Sequence, residues 1–328
     1  MNVFLTGASG FIGNALRLDL EKKNINVTCL FRRPPAGPPG KNASGTPRFL
    51  VEQWDAHTDF SQYLAQTDVL IHAAGCAHMP TRSDYDRLEM FFDVNVYATK
   101  NLALQAARSG VRRFVYISSA AVMGRSNNNR PPFCETDAPA PYNSYTLSKH
   151  KAEQVLETIA EKSGMEVVVL RPPLVYGPGV KANFLKLLDL AYTGLPLPFA
   201  GIHNARSFIC LDNLVDAAAM CAVHAHAGSR TFLVSDGPSM STPQLLTHIS
   251  AGMGKKPGMF FFPPSLARSV LTFLGKKGIY DRLWGNMALE TKKIRKVLGW
   301  QPKTGPEAGL AQTAAWYVNK KKQQGRVP

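Results

Sequence analysis

The first thirteen residues constrain the fold more than any other part of the chain. The apolar run Val3-Phe4-Leu5 leads into Gly7-Ala8-Ser9-Gly10-Phe11-Ile12-Gly13, and a helical pattern follows at once, with Phe11, Ile12, Ala15, Leu16 and Leu20 on one face. A buried strand that turns through glycines into a helix has a specific use. Glycine lets the backbone turn tightly, and it lets an anion approach the first helical N–H groups, where unpaired donors and the helix dipole favour negative charge. The loop therefore reads as the phosphate cradle of a dinucleotide, with Gly7, Ser9, Gly10, Phe11, Ile12 and Gly13 as cofactor-binding residues. A tight turn without a ligand is the plainer alternative, and the strand before it and the helix after it argue against that.

The same rhythm continues. Residues 27–31, 69–72, 114–118 and 167–170 read as further buried strands, with helices over 89–109 and 145–162. The alternation predicts an α/β fold, a Rossmann-type doubly wound parallel sheet. The Pro-, Gly- and Ser-rich stretch 34–47 reads as a surface loop. After Arg171 the prolines at 172, 173, 178, 196 and 198 break the pattern, which predicts a smaller C-terminal substrate-binding region. Residues 1–172, rejoined by about 207–228, form the expected dinucleotide-binding domain, and 173–206 with 229–328 the expected substrate domain.

The second strand ends Leu30-Phe31-Arg32-Arg33. An acid there would bond the ribose 2′-hydroxyl of NAD, whereas a guanidinium suits the 2′-phosphate of NADP. Arg32 and Arg33 thus favour NADP over NAD, unless they are only surface charges opening a polar loop.

Tyr145 and Lys149 stand four residues apart, on one face of a helix. A free phenol, with a pKa of about 10, is a poor base at neutral pH, and a neighbouring ammonium would favour its ionised form. Such a tyrosine can exchange a proton with a carbinol oxygen while a nicotinamide exchanges the hydride. Ser118-Ser119, closing the fourth sheet strand, is placed to supply an orienting hydroxyl.

With these motifs together, the chain resembles the extended short-chain dehydrogenase/reductases of the NAD-dependent epimerase/dehydratase family, the nucleotide-sugar enzymes, over nearly its whole length. The carriers are the glycine loop, His72-Ala73-Ala74-Gly75, Asn95-Val96, the run from Ser118 to Gly124, Tyr145 to Lys149, the run from Arg171 to Pro178, Arg206 to Ile209, and Leu298-Gly299-Trp300. The resemblance implies Ser119, Tyr145 and Lys149 as the catalytic set. It implies cofactor contacts at Asp55, against adenine, and at Ala73, Ala74, Gly75, Asn95, Tyr145, Lys149 and Pro172. It implies a UDP-sugar substrate, met by Ser119 and Tyr145 at the sugar, Asn183 at a phosphate, Leu197 and Phe199 along uracil, and Arg206 and Arg282 at the diphosphate. It also implies a two-fold homodimer.

One departure narrows the reaction. Family dehydratases carry an Asp-Glu pair after the catalytic hydroxyl residue, and here Ala120 and Ala121 stand there. Neither can act as acid or base, so hydride chemistry at C4 remains. Because Arg32 and Arg33 favour NADP, the first expectation is a 4-reductase of a UDP-4-keto-6-deoxy-N-acetylhexosamine in surface polysaccharide biosynthesis. A UDP-glucose or UDP-N-acetylglucosamine 4-epimerase is the alternative. A ketone reductase of the hydroxysteroid or flavonoid type and a non-catalytic dinucleotide-sensing protein stand behind both.

The five cysteines are scattered without paired spacing, so neither a metal site nor a disulfide framework is expected, and with no leader-like start a cytoplasmic location is. From Ala251 to Pro328 there are fifteen basic and three acidic residues. Nucleic acid is not expected as a partner. The apolar stretch 259–274, followed by Lys276-Lys277, has the chemistry for a peripheral membrane contact, but the favoured expectation is a core-packing segment with solvated lysines.

Overall fold

The computed structural model describes residues 1–31, 40–41, 47–51, 54–77 and 84–325. Its strands are β1 (Asn2–Thr6), β2 (Asn26–Phe31), β3 (Gly40–Lys41), β4 (Pro47–Leu50), β5 (Val69–His72), β6 (Arg113–Ile117), β7 (Glu166–Arg171), β8 (Leu174–Tyr176), β9 (Leu197–Ala200), β10 (Phe208–Cys210), β11 (Arg230–Leu233) and β12 (Met259–Phe261). Its helices are α1 (Phe11–Lys22), α2 (Ser61–Leu64), α3 (Asp84–Phe92), α4 (Ala98–Arg108), α5 (Ser144–Ser163), α6 (Ala182–Thr193), α7 (Leu211–Val223), α8 (Thr242–Gly252), α9 (Pro264–Phe273), α10 (Lys277–Trp284), α11 (Lys292–Leu298) and α12 (Pro306–Gln323).

The main sheet runs β11-β7-β6-β5-β1-β2-β4-β3. Every neighbouring pair is parallel except β3 with β4. Side chains alternate between its two faces, as strand geometry requires. Val3, Leu5, Val69 and Ile71 enter one core with α1 and α7, while Phe4, Leu70, Phe114 and Tyr116 enter the other with α4 and α5. This is the expected doubly wound sheet. From β1 the chain crosses to β2 on one side, and β5 later takes the other side. The order therefore reverses between β1 and β5, which opens a crevice at their carboxyl ends.

A third core collects Tyr176, Phe184, Leu188, Phe199, Leu246 and Tyr317 beside the sheet. Two stretches of 229–328 do not join it. Arg230–Leu233 is the outermost strand of the main sheet, and Ile294, Leu298 and Trp300 pack in the first core with α7.

The expected single helix over 89–109 is divided. A π-helical turn, Asp93–Tyr97, lies between α3 and α4. Such a bulge inserts a residue and turns one side chain off the regular face, here the buried Asn95. The strands β4 and β11 read PRFL and RTFL, with only two apolar residues in a row, so no continuous apolar run announces them as it does the equally short β5.

Candidate active site

The crevice is lined by Gly7, Ser9, Gly10, Ala73, Ala74 and Gly75, as the motifs suggest, together with Leu30, Phe31, Val51, Trp54 and Val94. Two glycines make the approach physically necessary. Gly7 has φ +72°, and a Cβ on it would stand 2.5 Å from the Ala74 nitrogen; one on Gly13 would stand 2.1 Å from the Gly7 carbonyl oxygen. Only hydrogen fits at either site. The N-cap of α1 is Gly10, and no side chain caps it, so the first-turn N–H groups are left to an anion. Phe11 and Ile12 contribute backbone there, because their side chains pack in the cores, Phe11 in two of them. A dinucleotide pyrophosphate fits this cradle.

Other cofactor residues behave less simply. Arg32 and Arg33 lie outside the described residues. The Asp55 carboxylate is committed to a local turn, where Oδ1 accepts from the His57 N–H at 2.8 Å and from Thr58 Oγ1 at 3.1 Å. Those contacts, the His57 N–H foremost, hold its carboxyl below the usual range. The crevice wall there is the neighbouring Trp54, whose indole donates to the Val94 carbonyl at 3.3 Å. Pro172 turns its carbonyl to the Ala120 N–H at 2.8 Å and so holds the loop after β6.

Helix α5 begins where its sequence says it must. Asn143 is the N-cap and forms a reciprocal capping box with Thr146, which fixes Tyr145 in the first turn and Lys149 one turn later. Ser119 follows β6 and caps a short 3-10 turn, Ala120–Met123. Its hydroxyl accepts from the Ala121 N–H at 3.2 Å and stands close enough to the Tyr145 phenol to lower its pKa, so the two expected partners are neighbours. Burial pushes the phenol up to about 12, against the opposing effect of the Ser119 hydroxyl.

Lys149 corrects the sequence reading. Its ammonium donates to the Ile117 carbonyl at 2.6 Å and lies 4.2 Å from the centroid of the Tyr116 ring. It is not among the groups that shift Tyr145, so the expected lowering of the phenol by this cation is not seen. Burial instead pushes Lys149 itself down to about 7, against the pull of Glu153. The position of a Cβ on Gly75 would be 3.7 Å from Lys149 Nζ and 3.3 Å from Asn95 Oδ1, so the crevice floor leads to the candidate lysine. Asn95 does not hold that lysine. It bridges elements, accepting from the Cys76 N–H at 2.8 Å and donating to the Cys76 carbonyl and to Ser148 Oγ, each at 3.0 Å.

Beneath the site lies a buried network that the motifs did not announce. Glu153 accepts from Ser118 Oγ at 2.5 Å and from Arg171 Nε and Nη2 at 3.0 and 2.7 Å. Burial pushes its carboxyl up, but His150, whose Nδ1 lies 3.7 Å away, and the hydrogen bonds from Arg171 and Ser118 outweigh that and leave it below the usual range. A signal for it was available, since Tyr145, Lys149 and Glu153 recur every four residues on one helix face. His72 is also buried, bridging Thr6 and Thr99 at 2.6 and 2.9 Å, and burial pushes its imidazole down to about 3.

The substrate candidates are mixed. Asn183 is half-buried in the first turn of α6. Leu197 and Phe199 are core residues, Phe199 lying edge-on to Trp284 at 5.2 Å, so neither presents a free apolar face. Arg206 donates to the Gly285 and Asp281 carbonyls at 2.8 and 3.4 Å. Burial pushes its guanidinium down to about 10, and the field of the exposed Arg282 adds to that fall. Arg206 has no carboxylate partner among the described residues.

The comparisons with known proteins agree with this geometry. The family described as "NAD dependent epimerase/dehydratase family" matches residues 3–234. A UDP-glucose 4-epimerase of Vibrio cholerae is 37% identical over 318 residues, covering 97% of this chain and 95% of the relative. Among solved structures, MoeE5 in complex with UDP-glucose and NAD shares the fold at a TM-score of 0.75 and 23% identity, over 98% of this chain and 99% of that one. RMD from Pseudomonas aeruginosa, complexed with NADPH, does so at 0.71 and 19% identity, over 97% and 99%. The chain belongs to the NAD-dependent epimerase/dehydratase family of short-chain dehydrogenase/reductase enzymes.

Proposed function

We propose that the protein transfers a hydride at C4 of a UDP-sugar, as a 4-epimerase of UDP-glucose or UDP-N-acetylglucosamine. The observation that supports the chemistry best is the nearness of the Ser119 hydroxyl to the Tyr145 phenol, with the buried Ala120 and half-buried Ala121 following Ser119. Those two alanines leave no second acid or base for removing water. When bound, a nicotinamide dinucleotide supplies the hydride acceptor and donor. Tyr145 carries the proton to and from the C4 oxygen, and Ser119 holds that oxygen against the phenol. Arg206 and Arg282, two neighbouring cations, suit a diphosphate and argue against a steroid-like ketone. Full-length similarity to the Vibrio cholerae enzyme supports epimerisation. A homodimer through the faces of α4 and α5 is part of the same reading.

A second reading is reduction of a UDP-4-keto-6-deoxy-N-acetylhexosamine with NADPH. It is favoured by Arg32-Arg33 and by Tyr145, whose raised pKa keeps it protonated and ready to donate. A paired assay decides. Enzyme given UDP-glucose or UDP-N-acetylglucosamine without added cofactor yields the 4-epimer if it is an epimerase. Enzyme given the 4-keto sugar oxidises NADPH stoichiometrically if it is a reductase. NADPH oxidation without the 4-epimer would replace the epimerase by the reductase, and the absence of both products would sink the proposal.

A further inference from the structure

The stretch 237–280 contains no aspartate or glutamate, although it carries Lys255, Lys256, Arg268, Lys276 and Lys277. It also holds Phe273, the most exposed large apolar side chain among the described residues. Along α9, Leu266, Val270, Phe273 and Leu274 are spaced by four, three and one residues, which places them on one helical face. All four are exposed, Phe273 to 91%. Only Ala267 of this helix is fully buried. The strand β12, two residues before α9 in the chain, also exposes Phe260 and Phe261, the latter to 65%. The segment expected to pack in the core therefore stands out from it.

A folded chain does not leave a row of large apolar side chains in water without consequence, and the surroundings of this row indicate what covers it. Lys256, Arg268, Lys276 and Lys277 are exposed and have no ion-pair partner among the described residues. A second copy of this chain is a poor occupant, because a two-fold interface would bring these cations against themselves. An exposed apolar helix face with unpaired cations on and beside it matches a surface that is apolar within and anionic at its face. We propose that α9, with β12 and the flanking lysines, docks the protein on an anionic lipid bilayer. α9 packs against α10, which bears Arg282, so docking brings the substrate region to the bilayer. The proposal does not depend on which C4 reaction is catalysed.

The test is co-sedimentation of the full chain with vesicles of phosphatidylcholine alone or mixed equally with phosphatidylglycerol. Binding to the anionic vesicles is expected to exceed that to neutral ones by about tenfold at low salt, and to fall in about 0.5 M salt. Val270→Glu with Phe273→Glu should lower it about tenfold, and Lys276→Glu with Lys277→Glu should abolish the preference for anionic vesicles. Unchanged thermal melting shows that these surface variants still fold. No binding, equal binding to both vesicles, or binding that survives Val270→Glu with Phe273→Glu would overturn the proposal. So would a halved solution mass in that variant without vesicle binding, which would make the face a contact between copies.

Discussion

Lys149 gives its hydrogen bond to the Ile117 carbonyl oxygen, so helix α5 is tied to the end of the central strand β6 by an ammonium in a dry place. That placement makes the lysine costly to charge. The folded protein releases its proton near about 7, the unfolded chain near about 10.4. Between these values the unfolded chain binds more protons, so this group makes stability rise with pH across the window and penalises the fold fully below it. Lys149→Met should remove that rise and abolish turnover. Urea midpoints from neutral to alkaline pH check it, and an unchanged slope would count against the assignment.

With the phenol as the proposed proton carrier, Tyr145→Phe should lower turnover by at least about a hundredfold while dinucleotide affinity changes by less than about threefold. Ser119→Ala, which removes the hydroxyl partner but leaves the phenol, should cost about tenfold to a hundredfold. Steady-state rates together with dinucleotide titration separate the two effects. Near wild-type turnover in Tyr145→Phe would refute the catalytic set.

Glu153 and Arg171 form a buried, two-point ion pair under the site. Removing one partner strands the other charge, so Glu153→Ala should destabilise the protein by about 3–5 kcal/mol. Pairing it with Arg171→Met should recover much of that loss, and chemical denaturation of both variants measures it.

His72 lies neutral between two threonines, with its folded pKa near about 3 against about 6.5 unfolded. Its contribution to stability is complete above the unfolded value and is lost as pH falls toward the folded one, at up to about 1.4 kcal/mol per pH unit. His72→Gln should flatten the acid limb of the stability curve. An identical limb in the variant would place the acid sensitivity elsewhere.

The cradle gives a sharper test of cofactor binding. Gly13→Ala drives a methyl group into the Gly7 carbonyl and should abolish dinucleotide binding, as judged by titration. The double variant Arg32→Ala with Arg33→Ala should instead weaken NADP selectively if those arginines read the 2′-phosphate.

What the sequence by itself determined is everything set by short-range geometry. Gly7 and Gly13 demand a close backbone approach, Asn143 and Thr146 start the catalytic helix, and a spacing of four puts Tyr145, Lys149 and Glu153 on one face. Alternating apolar runs fix the central strands for the same reason. Only the tertiary structure decided what each of those faces meets. The Lys149 ammonium finds the Ile117 carbonyl, the Asp55 carboxylate closes its own turn, Leu197 and Phe199 sink into a core, and the face of α9 remains in water. Those outcomes depend on desolvation and on partners far along the chain. A spacing carries no information about either until packing has chosen which groups lose water and which neighbours replace it.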